Sequence, residues 1–221
     1  MRVIGTVLFA TVLILSSLGI ALAAVSSKPA VAGMVAIAHS QQIDAIGATY
    51  EFIGAEIQSY VTTLPFEQES EIRISSAQHN TVWTPGLNDD ELSHLSDVQS
   101  VIGTILIMTF AVVPVLAIII TVMRNSQFVR HSLFGAGIVC MALSVVTALF
   151  VLLFFEPTFI LFHQVFFPQG NYEFYEGTLL VTIFPQGFWV MSGLLWSIVF
   201  AANGAILTGL SRFCGKYTLS A

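Results

Sequence analysis

Charge is what this chain has least of. Only 9% of its 221 residues are Asp, Glu, Lys or Arg, against about a quarter in a soluble domain. With 56% hydrophobic residues and a mean hydropathy of +0.86, the composition excludes an ordinary soluble globule and points to an integral membrane protein. Cysteine is nearly absent. Cys140 and Cys214 lie in or at the end of apolar segments, form no disulfide framework or metal-ligand spacing, and read as packing residues. There are seven basic residues and no basic run, so nothing supports nucleic-acid binding. No G-x-S-x-G, G-x-G-x-x-G or P-loop occurs, which removes the sequence basis for a serine-elbow hydrolase, a dinucleotide fold or a nucleotide triphosphatase.

What is present is apolar length. Four runs, Val3–Ala24, Val101–Met123, Ser132–Phe155 and Phe188–Leu210, contain no Asp, Glu, Lys, Arg or His. Each reaches the ~20 residues that a helix needs to cross the hydrocarbon layer. Their lack of ionisable groups disfavours a pump or channel, whose pathways place such groups inside the spans. "ALA" at Ala21–Ala23 resembles a signal-peptidase site, but the long run before it is read as an uncleaved first helix. The expected fold is all-α, with transmembrane helices at 1–24, 98–123, 132–155 and 188–211. A helical cap is expected at 25–97 and an apolar interfacial element at 156–187.

Five of the seven basic residues, Arg2, Arg124, Arg130, Arg212 and Lys216, flank the spans on one side, and all thirteen acidic residues fall in the two segments on the other. The positive-inside rule places both termini in the cytoplasm and the acidic segments outside a cell membrane. In the first outer segment Ile43, Ile46, Ile53, Ile57 and Val61 recur near helical spacing, with Asp44, Glu51 and Gln58 on other faces. This predicts one or two amphipathic helices. Pro65 interrupts the pattern, and "EIRISS" and "TVWTP" read as short extended pieces.

"LNDDELSHLSDVQS" then starts a helix that runs into the second span. Asn88 and Glu91 have capping-box spacing, and Asp89 and Asp90 suit the positive end of the helix dipole. His94 falls seven residues before Val101, about 10 Å above the hydrocarbon at 1.5 Å per residue. Asp97 shares its face at i, i+3, placed to orient the imidazole or stabilise its cation. The second outer segment is nearly as apolar as a span but is broken by Pro157, Pro168, Gly170, Gly177 and Pro185, and it holds His163 among six phenylalanines. Tyr172, Tyr175 and Trp189 suggest an interfacial aromatic belt.

His39, His79 and His131 read as hydrogen-bonding anchors. His94 and His163, expected on the same side at similar depth, together suit an acid/base pair at headgroup level. A metal site of His94, Asp97 and His163 lacks any specific ligand spacing, and no metal or cofactor is expected.

Three stretches carry a family resemblance. "DDELSHLSDVQSVI" resembles the E-x-x-H-x-x-D-V segment of a family of four-helix bacterial membrane proteins. "FHQVFFPQGNYEFYEGTLLVTIFPQGFW" is similar to its second block, and "IQSYV" to a short piece centred on tyrosine. The family includes the lipoprotein intramolecular transacylases. The resemblance implies a four-helix bundle with an external cap, with His94 and His163 as the catalytic pair and Asp97 in support. Tyr60, Phe167 and Tyr172 would contact substrate or headgroup. Tyr172 stands where many members have tryptophan. The implied activity moves the sn-2 acyl chain of a diacylglyceryl-cysteine onto that cysteine's own α-amino group. The implied partners are a diacylated lipoprotein N-terminus and membrane lipid. Imidazole suits this chemistry, since an amine must lose a proton and an oxyanion needs a donor. Which ring is base and which is donor stays open. The alternative is a membrane protein that binds lipid or lipoprotein without catalysis, its histidines serving only as anchors.

Overall fold

In the computed structural model the described residues are 2–39, 45–63, 77–79, 82–84 and 86–215. Among them the helices are α1 (Arg2–Val25), α2 (Lys28–Ala38), α3 (Ala45–Thr62), α4 (Asp89–Val122), α5 (Gln127–Leu153), α6 (Phe155–Phe166), α7 (Leu179–Ile183) and α8 (Gln186–Ser211). One antiparallel pair, β1 (Ala77–His79) and β2 (Val82–Thr84), joins Ala77 to Thr84 and His79 to Val82. The second expected extended piece is therefore a strand. "EIRISS", Ile43 and Asp44 lie outside the described residues, as does the side chain of His79. α1, α4, α5 and α8 are long and apolar enough to cross a membrane, and the chain is an all-α membrane protein. At 34 residues, α4 would extend about 50 Å, longer than the ~30 Å of hydrocarbon requires, and its charged residues Asp89, Asp90, Glu91 and Asp97 all lie in its first turns.

One compact unit comprises Met1–Ala24, Leu106–Leu149 and Leu194–Ala221. Its core sets Leu13 against Leu116, Val129 and Leu133, with Ala136 and Cys214 filling between them. α5 and α8 touch backbone to backbone. A Cβ on Gly137 would lie 2.5 Å from the Gly204 carbonyl, and one on Gly204 would lie 2.7 Å from that of Gly137. Only glycine permits this approach, which is how small residues let membrane helices associate. Polar ties support it: Ser132 Oγ donates to the Thr6 carbonyl at 3.1 Å, and Asn203 Nδ2 to that of Ser17 at 3.3 Å. Cys140 and Cys214 are free and buried, in keeping with a packing role.

The other unit comprises Val25–Ile105 and Phe150–Gly193. α2 and α3 pack through Val31, Val35, Ile53, Ile57 and Val61, all buried. Pro29 is tolerated because the first turn of α2 leaves its N–H groups unpaired anyway. The spacing argument misplaced Gln58. Glu51 is exposed, but Gln58 is buried, because its amide reaches the carbonyl of Ser26 at 2.7 Å and so turns inward among apolar neighbours. His39 is an anchor as expected, its Nε2 lying 3.2 Å from the Ile183 carbonyl at the end of α7. The apolar element before α8 resolves into α6, a turn and α7. A break at Phe154 (φ −138°, ψ 47°) separates α6 from α5.

Candidate active site

α4 and α6 bring the two histidines together. The capping box sets the start of α4: Glu91 N–H donates to Asn88 Oδ1 and Asn88 N–H to Glu91 Oε2, each at 2.9 Å. Glu91 has a second task that the sequence did not disclose. It is fully buried, and its Oε1 accepts the Leu180 N–H of α7 at 2.7 Å. One turn further on, His94 is 8% exposed, and on α6 His163 is 5% exposed. Their ring centroids lie 6.0 Å apart, with the planes 27° from parallel. This is close enough for proton traffic directly or through one bridging group.

The surroundings differ for the two rings. His163 Nδ1 lies 2.8 Å from the Phe159 carbonyl. A carbonyl only accepts, so Nδ1 carries the proton and Nε2 is left as a lone pair. Phe159 (4.0 Å between centroids) and Tyr172 (4.9 Å) flank this ring. Phe167 and Phe174 meet His94 edge-on at 4.9 and 5.5 Å. Burial holds His94 down at a pKa of about 4, with His163 adding repulsion, while Asp97 and Asn171 pull the other way. Burial also lowers His163, against the raising effect of the Phe159 carbonyl. Both rings are therefore neutral at pH 7.

Asp97 favours the His94 cation, as expected from their shared face, but its hydrogen bonds go elsewhere. Asp97 Oδ2 accepts from Gln169 Nε2 at 2.7 Å and from Asn171 Nδ2 at 2.6 Å. Both amides come from the turn after α6, where Gly170 adopts φ +80°, a conformation that a side chain would strain. Asn171 stands near enough to His94 to favour its protonated form, although neither His94 Nδ1 nor Asn171 Oδ1 has a well-formed hydrogen bond. Polar Gln169 and Asn171 inside an otherwise apolar segment were the signal that would have found them.

A cavity of about 570 Å³ adjoins the pair, within the range of roughly 300–1,000 Å³ usual for small-molecule sites, and its wall includes His94, His163, Tyr172, Gln58, Phe159 and Trp189. Most of the remaining wall is aliphatic or aromatic. Such a wall suits acyl chains. Of the residues expected to contact substrate, Tyr172 lines the cavity. Phe167 is buried against both histidines without lining it. Tyr60 does not line it either, and its carbonyl takes the Gln99 amide at 3.1 Å. Its helix neighbours Ile57, Gln58 and Val61 face the cavity instead.

Comparisons with known proteins bear on this arrangement. The sequence profile of lipoprotein intramolecular transacylases, Lit, matches residues 5–189, a stretch that includes both histidines. The chain resembles the solved structure of the membrane-integral lipoprotein intramolecular transacylase from Bacillus cereus, with 15% identity, 96% of this chain and 95% of that one covered, and a TM-score of 0.71. A form of that Bacillus cereus protein carrying a histidine-to-arginine substitution is similar at 15% identity, covering 96% and 91%, with a TM-score of 0.65. A histidine-to-alanine form is similar at 16% identity, covering 98% and 94%, with the same score. At these identities the likeness speaks for the fold. No curated protein matches the chain.

Proposed function

The chain belongs to the lipoprotein intramolecular transacylase family, and from that membership we propose how its residues divide the work. The protein is an acyltransferase that moves the sn-2 acyl chain of a diacylglyceryl-cysteine onto the cysteine α-amino group, leaving a lyso-form, N-acylated lipoprotein. Donor and acceptor belong to one molecule. The enzyme therefore supplies orientation and proton handling, and no serine or cysteine nucleophile is needed.

In this reading the amine nitrogen attacks the ester carbonyl and gives a proton to His163 Nε2, the lone pair left by the bond to Phe159. The acyl carbon–oxygen bond then breaks, and the glycerol oxygen takes a proton. One proton leaves the amine and one reaches the glycerol, so both rings end neutral. His94 carries the proton toward the leaving oxygen and stabilises charge on the carbonyl oxygen, because it is the ring whose cation Asp97 and Asn171 favour. Tyr172 and the apolar wall hold the chains. The observation that carries the reading is the paired buried rings 6.0 Å apart beside an acyl-sized cavity. The test is intact mass analysis of a reporter lipoprotein's N-terminal peptide with and without the protein. The expected outcome is acyl migration to the amine with the total acyl count unchanged.

The pH profile follows from the lowered histidines. The working rings are neutral, so histidine protonation becomes inhibitory only below about pH 5 for His94. The substrate amine titrates near ~8 in model compounds. Log kcat/KM is expected to rise with a slope of about one as pH approaches 7, from the substrate amine, and to steepen only below the ordinary imidazole range near ~6.5, where the lowered histidines take up protons. A slope of two across pH 6–7 would assign an ordinary imidazole to the reaction and remove the neutral-pair reading.

Membrane orientation is also part of the proposal: termini and Arg124–Arg130 cytoplasmic, histidines outside, on the strength of the basic-residue distribution. Cysteines are placed singly at Ser126 and Glu176 in a form lacking Cys140 and Cys214. An impermeant thiol reagent on intact cells is expected to label the Glu176 position and spare the Ser126 position. The reverse pattern would invert the topology.

A further inference from the structure

Among the described residues four buried side-chain atoms have no hydrogen-bond partner: Gln58 Oε1, His94 Nδ1, Asn171 Oδ1 and Thr178 Oγ1. Two of these belong to the histidine site, and Thr178 carries a hydroxyl that can rotate to suit a partner. Gln58 differs from them. It lies on α3, is 7% exposed and forms part of the cavity wall. Its Nε2 donates to the Ser26 carbonyl at 2.7 Å and to Thr62 Oγ1 at 3.2 Å. The Ser26 carbonyl can only accept, which fixes the amide orientation, because the flipped form would set oxygen against oxygen. The acceptor is therefore the free end of a side chain held firmly from behind.

A buried acceptor without a donor is costly to leave unmade, and acyl chains have no donor to give it. A polypeptide does. On the transacylase reading, the polar end of the substrate carries two N–H groups. The α-amine is engaged by the histidines. The other is the N–H of the peptide bond that joins the lipidated cysteine to the next residue, and this donor is left unpaired when the cysteine sinks into an apolar cavity. We propose that Gln58 is a substrate-binding residue whose Oε1 accepts the N–H of that first peptide bond. Through it the enzyme distinguishes the acylated cysteine of a polypeptide from ordinary glycerolipid with the same chains and esters. A site built to bond an N–H discriminates against the analogue that lacks it, because its own polar group is then stranded.

The test compares two synthetic substrates with the full-length enzyme in lipid nanodiscs. One is a diacylglyceryl-cysteinyl peptide. The other has an ester oxygen in place of the first peptide N–H. With the unmodified enzyme the ester analogue is expected to lose about tenfold or more in kcat/KM, mainly through KM. Gln58→Leu and Gln58→Met are expected to treat the two substrates alike, near the unmodified enzyme's rate on the analogue. A merely structural role would lower both rates and keep their ratio. Equal handling of the two substrates by the unmodified enzyme, or undiminished discrimination by either variant, overturns the proposal while leaving the transacylase reading intact. No acyl migration with either substrate overturns both.

Discussion

His163→Ala and His94→Ala are each expected to remove transacylase activity, by about 10²–10⁴-fold, the usual loss when a proton-transfer group is deleted. The two losses are not expected to add. Once one ring is gone the proton relay is broken, and removing the other costs little more, as happens for groups that act as a unit. The rings are also packing elements. His163 lies against Phe159, and His94 meets Phe167 and Phe174 edge-on, so both variants need a folding control by thermal unfolding and size exclusion in detergent. Asp97→Asn is expected to do less than either. Its Oδ2 bonds to Gln169 and Asn171 can survive in part through the amide oxygen, while the negative charge that favours the His94 cation is lost. Ser93→Ala and Ser96→Ala should be nearly silent, because no serine nucleophile takes part. Full activity in both folded histidine variants would end the acid/base assignment.

The largest expected loss of stability lies at Glu91. Glu91→Ala removes an acceptor from the Asn88 N–H and another from the Leu180 N–H, and it leaves a gap where a fully buried side chain stood. A buried donor left unsatisfied costs ~1–3 kcal/mol, and losing the reciprocal half of a cap costs ~1 kcal/mol. Together they predict a loss of about 2–4 kcal/mol and a melting temperature lower by roughly 10 °C for a chain of this length. Glu91→Gln should recover about half. Its single amide oxygen can accept one of the two N–H groups, and its NH2 is then turned on the other. Activity is expected to fall with stability, since α7 lines the cavity through Leu180 and Val181. A Glu91→Ala protein that melts within 2 °C of the unmodified one, a shift on the order of 0.5–1 kcal/mol, would show that the Leu180 tie carries no weight.

Glu91 also shows how far a sequence reaches. Its bond to Asn88 spans three residues, and local chemistry alone predicted it. Its bond to Leu180 spans 89 residues, and nothing in the helix start announces it. The same division runs through the rest of the molecule. The four crossings were legible because hydrocarbon imposes a length and forbids charge, so the constraint acts on each segment by itself. The shared face of His94 and Asp97 was legible because helix periodicity is local. Spacing alone put Gln58 on a polar face, whereas packing turned it inward toward the Ser26 carbonyl. Asn171 stands between Asp97 and His94 because the turn at Gly170 folds the segment after α6 back over α4. The tautomer of His163 follows from its bond to Phe159 one turn earlier, a contact available to any helical histidine but fixed only once the ring is packed among its aromatic neighbours. Sequence by itself determined the four long apolar helices, the capped start of α4 and which residue types could move a proton, whereas α6 and α7 emerged from an apolar segment that the sequence left without a helical assignment. The tertiary structure decided which buried polar atoms meet and which are left unpaired, because burial makes each unpaired donor or acceptor costly and only the packed chain decides where its partners lie.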